Sequence, residues 1–363
     1  MSKLQQVPKM DWGVRTGSVQ EVYYEGEPYR GKPTRIFAYL GRPEGKGPFP
    51  AMVLVHGGGG KAFPDWVKHW VKQGFVALAM DTAGCGPAGL LPDGGPDQND
   101  STKFRDFQNG EINEMWTYHA VAAVIRGHSL LASLPEVDAH RIGLTGISWG
   151  GYLTCIVAGL DHRFKVAVPV YGCGFLGESS YWTRTSLVKM NPDSRERWLH
   201  NFDPSQYLAG VSCPILFLNG TSDFAYWLDS YRASYQLVSP KFRNVCVVVN
   251  LPHGHIWTFK EVDQFVGHQL RHGPPSPRLA LQTTSENEVK SKAIPPTRLK
   301  EAFLNFTRDS GELPKRHWES RPAILHSGVI SARLPFPSPQ AWFLSAIDED
   351  GLRVSTEHEE LER

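Results

Sequence analysis

The sequence predicts an α/β protein: a mostly parallel, doubly wound sheet followed by a small β-rich C-terminal part. Three observations carry this. Short, continuous apolar runs recur (AMVLV at 51–55, FVALAM at 75–80, FKVAVPV at 164–170, PILFL at 214–218, VCVVVNL at 245–251), as expected of strands buried on both faces. Segments of helical periodicity separate them, so strands alternate with helices. After Arg271 the alternation stops, and short strand-and-turn stretches replace it.

In order along the chain, residues 1–20 are mixed and read as an irregular lead-in. Val19–Tyr24 and Thr34–Leu40 flank the turn-rich EGEPYRGKP and read as a hairpin. The strand Ala51–Val55 runs directly into His56-Gly57-Gly58-Gly59-Gly60. Trp66–Gln73 is an amphipathic helix, and the strand 75–80 ends at Asp81. A Gly/Pro/Asp-rich loop of unusual length then spans 82–110. From Glu111 to Leu131, Ile112, Met115, Trp116, His119, Ala122, Ala123 and Arg126 recur at helical spacing. The stretch 171–208 is irregular and aromatic. Tyr226–Val238 and Thr258–Leu270 read as helices. This gives a principal unit over 1–272, a linker over 273–299 (HGPPSP and a polar stretch) and a small antiparallel β module or incomplete sandwich over 300–363.

The chemistry centres on RIGLTGISWGGYL at 141–153. This is G-x-S-x-G between a strand and a helix, which puts Ser148 on a sharp, strained turn with its hydroxyl exposed. Gly146 and Gly150 are needed because a Cβ at either would crowd the converging strand and helix. A serine hydroxyl becomes a nucleophile only when a base takes its proton and an acid orients that base. In this motif the partners follow in the order Ser, Asp or Glu, His. Asp223 follows the strand PILFL, and His253 and His255 follow VCVVVNL. Asp203, Asp229 and Asp263 lie in irregular or helical contexts and serve less well. His255 is favoured as the base because it lies further from the strand end. His253 stays open as the alternative if that strand ends earlier. For the oxyanion, the Trp149 amide supplies one donor and Gly58 or Gly59 the other, since glycines let backbone N–H groups approach a substrate. His56, Trp116, Trp182, Trp227 and Trp257 are candidates for the substrate pocket.

Together HGGGG, GISWGGYL, DHRFKVAVPVYG, PILFLNGTSD and LPHGH resemble the α/β-hydrolase superfamily. More narrowly, the resemblance is to the branch of acetyl xylan esterases, dienelactone hydrolases and prolyl oligopeptidase catalytic domains. It covers roughly Val19–Leu270 and implies a Ser–Asp–His hydrolase that forms an acyl-enzyme and needs no cofactor. The doubled histidine departs from the pattern. The resemblance points to a serine carboxylesterase, most of all a carbohydrate acetyl esterase of acetyl xylan esterase type. A prolyl oligopeptidase-like peptidase or amidase is the alternative within enzymes; an amine anchor, a Glu pair on a helix, is not visible, and only Glu111 and Glu114 come into question for it. A non-catalytic glycan- or partner-binding protein of the same fold is the alternative outside them.

Composition narrows the partners. Lys plus Arg (38) nearly balances Asp plus Glu (37), so a broad nucleic-acid or anionic-membrane surface is not expected. No apolar run reaches the ~20 residues of a membrane span. The five cysteines lack metal-ligand spacing and read as reduced thiols, and no metal site is expected. The P-loop pattern G-x-x-x-x-G-K-[ST] is absent, which argues against nucleotide binding by the glycine run after Val55. The expected partner is a small-molecule or carbohydrate ester. The sequence leaves the oligomeric state open. It is compatible with a cytoplasmic protein as written, or with a secreted or periplasmic one from which a signal peptide was removed.

Overall fold

Nine strands form the central sheet of the computed structural model, which describes residues 1–257 and 259–361. They are β1 (Met10–Thr16), β2 (Val19–Glu25), β3 (Arg35–Gly41), β4 (Phe49–Val55), β5 (Val76–Met80), β6 (Val137–Ile147), β7 (Val166–Val170), β8 (Ile215–Gly220) and β9 (Arg243–Val248). Their spatial order is β1-β2-β3-β5-β4-β6-β7-β8-β9. β1 to β3 are antiparallel to their neighbours, and the six strands from β5 to β9 in that order are mutually parallel. The apolar runs are the parallel strands, and β4 and β5 are almost wholly buried along their length. This is the burial that continuous runs of Val, Leu and Ala imply.

The helices α1 (Pro64–Lys72), α2 (Trp116–Ala132), α3 (Trp149–Leu160), α4 (Pro192–Phe202), α5 (Leu228–Gln236) and α6 (Lys260–Arg271) connect the strands. α3 is buried from Trp149 to Ala158, so it is apolar all round rather than amphipathic. The helix read from Thr258 begins at Lys260, and Thr258 itself lies outside the described residues, as do Glu362 and Arg363.

Four sequence expectations are corrected. The lead-in contains β1, an edge strand with mostly exposed residues and so without an apolar signature. The helix expected from Glu111 starts at Trp116, because Met115 adopts an extended conformation and Asn109–Glu114 coils as a separate 3₁₀ turn. The irregular stretch 171–208 contains α4, started by Asn191, whose side chain accepts from the Asp193 amide at 3.0 Å, with Pro192 in its first turn. The stretch read as a linker holds β10 (Thr283–Ser285) and β11 (Glu288–Lys292).

Those strands join β12 (Leu299–Thr307), β13 (Glu319–Pro322), β14 (Ile324–His326), β15 (Val329–Arg333), β16 (Ala341–Asp348), β17 (Arg353–Ser355) and β18 (Glu359–Glu360) in two antiparallel sheets. Val289 and Ile330 of one sheet pack against Leu304, Phe306, Trp342 and Leu344 of the other. The pair covers the β9 edge of the central sheet. Val247 and Leu228 pack on Trp318, Ala341 and Phe343, the Val247 amide donates to Ser355 Oγ (2.8 Å), and Arg243 pairs with Glu357 (2.8 Å). An uncovered edge strand would template pairing with another chain.

Candidate active site

The carboxyl ends of β4, β6, β8 and β9 bring the motif residues together. Ser148, at the turn from β6 into α3, has φ 58° and ψ −118°, a left-handed conformation that a non-glycine residue adopts only under strain. The close approach that holds it there excludes side chains. A Cβ at Gly150 would lie 2.1 Å from the Val55 carbonyl oxygen, and one at Gly146 would lie 2.3 Å from that of Gly150.

His253 lies between Ser148 and Asp223. Its Nδ1 is 2.6 Å from Asp223 Oδ2 and its Nε2 is 2.9 Å from Ser148 Oγ. Since the carboxylate can only accept, Nδ1 carries the proton and Nε2 faces the serine hydroxyl as an acceptor. Asp223 is 2% exposed, and its second oxygen accepts from the amides of Ala225 (2.9 Å) and Tyr226 (2.7 Å). A buried carboxylate needs such partners. The preference for His255 is therefore corrected: it is His253 that lies between Ser148 and Asp223. β9 ends at Val248, three residues before the expected end at Leu251, and Asn250 turns the chain with φ 53°. His253 is thus already clear of the strand. His255 instead accepts from the Gly57 amide through Nε2 at 3.2 Å.

The glycine loop lies against the Ser148 turn. A Cβ at Gly57 would come within 2.9 Å of Ser148 Cβ, and one at Gly58 within 2.8 Å of Trp149 Cδ1. The Gly57 N–H is taken by His255, whereas among the described residues the N–H groups of Gly58 and Gly59 are engaged by no protein group. Trp149 begins α3, where the helix dipole and unpaired amides favour negative charge.

Several of the pocket candidates are buried. His56 is fully buried, donating from Nδ1 to the Gly57 carbonyl (2.7 Å) and accepting at Nε2 from the Thr82 amide (2.9 Å). Burial pulls its pKa down, against the pull of Asp81. Asp81 is itself pushed above the usual carboxylate range by burial. This pair braces the loops after β4 and β5. Trp116 is also fully buried and donates to the Thr82 carbonyl (2.6 Å). Trp182 and Trp227 are buried: Trp182 packs on Trp149 (ring centroids 4.6 Å), and Trp227 donates to the Phe224 carbonyl (3.0 Å). Trp257 is half-buried against Trp66. Lys103, from the long loop, is buried with its ammonium 4.5 Å above the Trp149 ring and bonded to Asp100 Oδ1 (2.9 Å). Burial lowers its pKa.

Two residues beside His253 were not singled out from sequence. Tyr171 stacks on His253 (4.4 Å, 25°) and donates to the Pro252 carbonyl at 3.0 Å. Phe224 lies 4.8 Å from the same imidazole yet is 55% exposed. The available signal was position, since each directly follows a strand end or the acid. Among the described residues no group of three or more His, Cys, Asp or Glu side chains could hold a metal ion, and no helix is long and apolar enough to cross a membrane.

Comparison with known proteins agrees with this architecture. Two acetyl xylan esterases, from Paenibacillus sp. R4 and Thermoanaerobacterium sp. JW/SL YS485, each superpose with a TM-score of 0.55 at 20% identity. They cover 70% and 74% of this chain, and 87% and 91% of their own. At that identity the likeness establishes the fold alone, an α/β-hydrolase core, to which this chain adds the antiparallel sheets at its C-terminus. The acetyl esterase Axe7A of Xylanibacter ruminicola is 25% identical over 205 residues, covering 52% of this chain and 46% of that protein, so the match spans about half the relative's length. The family model described as acetyl xylan esterase (AXE1) matches residues 2–206, more than half of the chain. The chain therefore belongs to the acetyl xylan esterase family of α/β-hydrolases.

Proposed function

We propose that the chain is a serine esterase that removes acetyl groups from carbohydrate. The observation that carries this reading is the continuous hydrogen-bonded relay Asp223–His253–Ser148. Ser148 Oγ attacks the acyl carbonyl while its proton passes to His253 Nε2, and the Asp223 carboxylate stabilises the imidazolium. The amides of Trp149 and of Gly58 or Gly59 donate to the oxyanion. Collapse breaks the ester C–O bond, and His253 returns its proton to the departing alcohol. Water then repeats the sequence on the acyl-enzyme, releasing acetate and freeing Ser148.

The surroundings support a small acyl group and a ring-bearing alcohol. Trp149, Trp182, Phe104 and Tyr226 are all buried and pack on one another behind the nucleophile, which leaves little room for a long acyl chain. The alcohol departs beside His253, where Phe224 (55% exposed) and Tyr181 (43% exposed) lie edge to face at 6.1 Å. The Ser180–Tyr226 bridge and the Tyr181 amide bond to the Ala225 carbonyl (3.1 Å) hold them. Exposed, fixed aromatic faces suit the C–H face of a sugar ring. Incubation with acetylated xylan and with aminoacyl p-nitroanilides tests the reading. Acetate release without measurable amide cleavage is expected, and amide cleavage without acetate release would refute it.

A further inference from the structure

His255 is a polar residue at the site that the relay does not use. Its Nε2 accepts from the Gly57 amide across 198 residues of sequence. The Gly57 carbonyl is held at the same time by His56 Nδ1 (2.7 Å) and by the Gly60 amide (3.1 Å). Both backbone polar groups of one residue are thereby fixed, one histidine coming from the loop itself and the other from the segment after β9. The imidazole is seated closely. A Cβ at Gly60 would come within 2.6 Å of its Nε2 and one at Gly57 within 3.1 Å, and the rings of Phe63 (5.2 Å) and Trp66 (6.0 Å) flank it. Gly59, with φ 67°, completes the turn.

We propose that His255 is a positioning residue: as a neutral acceptor it anchors the Gly57 amide and so fixes the turn that presents the Gly58 and Gly59 amides to the oxyanion. This rests on the reading of Ser148 as nucleophile and of that loop as the oxyanion site. The titratable groups that face His255 are His56 and His253, both cationic if protonated, and among the described residues no carboxylate is paired with it. Burial, with His56 next, holds its pKa below the ordinary histidine value, in keeping with a neutral ring. Protonation at Nε2 would set an N–H against the Gly57 N–H and release the turn.

Two substitutions separate anchoring from packing. His255→Phe keeps a ring between Phe63 and Trp66 but has no acceptor, while His255→Gln places a carbonyl oxygen near the former Nε2 without the ring. Steady-state hydrolysis of acetylated xylo-oligosaccharide should show kcat reduced by about 10–100-fold in His255→Phe with KM little changed, since even outright loss of an oxyanion donor costs about 10²–10³-fold. His255→Gln should recover most of that kcat. A His255→Phe enzyme with wild-type kcat, or equal loss in both variants, would overturn the proposal. Should His255→Phe not fold, the pH profile of His255→Gln decides. Its acid limb of kcat/KM should be less steep than the wild type's by one proton, and identical limbs would overturn the proposal. Fluorophosphonate labelling of Ser148 in the wild type is the separate control. Its failure would contradict the nucleophile assignment itself, whatever the His255 variants do.

Discussion

The imidazole of His253 is oriented by two contacts besides the Asp223 carboxylate. The Tyr171 ring stacks on it, and the Tyr171 hydroxyl donates to the carbonyl of Pro252, the preceding residue. Burial raises the hydroxyl's pKa, so it remains a donor throughout the working pH range. Tyr171→Phe removes one hydrogen bond, about 1 kcal/mol, and leaves the stack. Tyr171→Ala removes both, and kcat should fall by roughly ten-fold or more with KM nearly constant, as when a base loses its orientation. Steady-state kinetics of the two variants check this, and an unchanged kcat in Tyr171→Ala would contradict it. At this scale the placement of Ser148, Asp223 and the glycine loop at strand ends was legible in the sequence, because each directly follows an apolar run. The choice between His253 and His255 was not. It turns on where β9 stops, and the apolar run continues to Leu251 although the pairing ends at Val248. The burial of Trp116, Trp182 and Trp227 was not legible for a related reason, since composition cannot separate a buried ring from an exposed one.

The element that sets the geometry is the turn between β6 and α3. Its strain at Ser148 is maintained by three backbones meeting at contact distance, those of Val55, Gly146 and Gly150. Gly150→Ala places a methyl group on the Val55 carbonyl. It should therefore destabilise the protein by roughly 4 kcal/mol or more, among the largest single-residue effects. Chemical denaturation of the variant, or its failure to accumulate in soluble form, is the check. A variant of native stability would show that the turn can relax. The parallel strands were legible because burial on both faces demands continuous apolar runs. α4 was not, because only Ser194, Trp198 and Phe202 are buried, at every fourth residue of an otherwise polar helix. Its Asn-Pro start was the available signal. β10 and β11 escaped for the same reason, being short and largely polar inside a Pro-rich stretch.

For the whole molecule, several histidines are folded into places that disfavour a proton. His358 is fully buried and its pKa is held down to about 3 by burial, with Arg232 and Arg316 adding to the effect. His128 is held down to about 4, by burial first and Arg163 next, and His56 is lowered as well. In the unfolded chain these groups take up protons near the ordinary value of about 6.5. Below that pH the unfolded state binds protons that the folded state refuses, so stability falls with pH. The loss should begin near pH 6.5 and continue to about pH 4 for His128 and about pH 3 for His358. Thermal unfolding at a series of pH values should show Tm falling across this window, and a flat Tm between pH 7 and 4.5 would contradict it. The same scale explains the C-terminal sheets. They cover β9, the strand that leads into His253, through Val247, Trp318 and Phe343 and the Arg243–Glu357 pair. Their β character was legible in the sequence, but their docking surface was not, because it is assembled from residues distant along the chain.

The most direct measurement is acetate release from acetylated xylan by the wild type, Ser148→Ala and His253→Ala, with the fold of each verified by circular dichroism. Both variants should be folded and should lose activity by a factor on the order of 10⁴ or more, the scale at which removing a relay member acts. A folded Ser148→Ala or His253→Ala protein that still releases acetate near the wild-type rate would contradict the account.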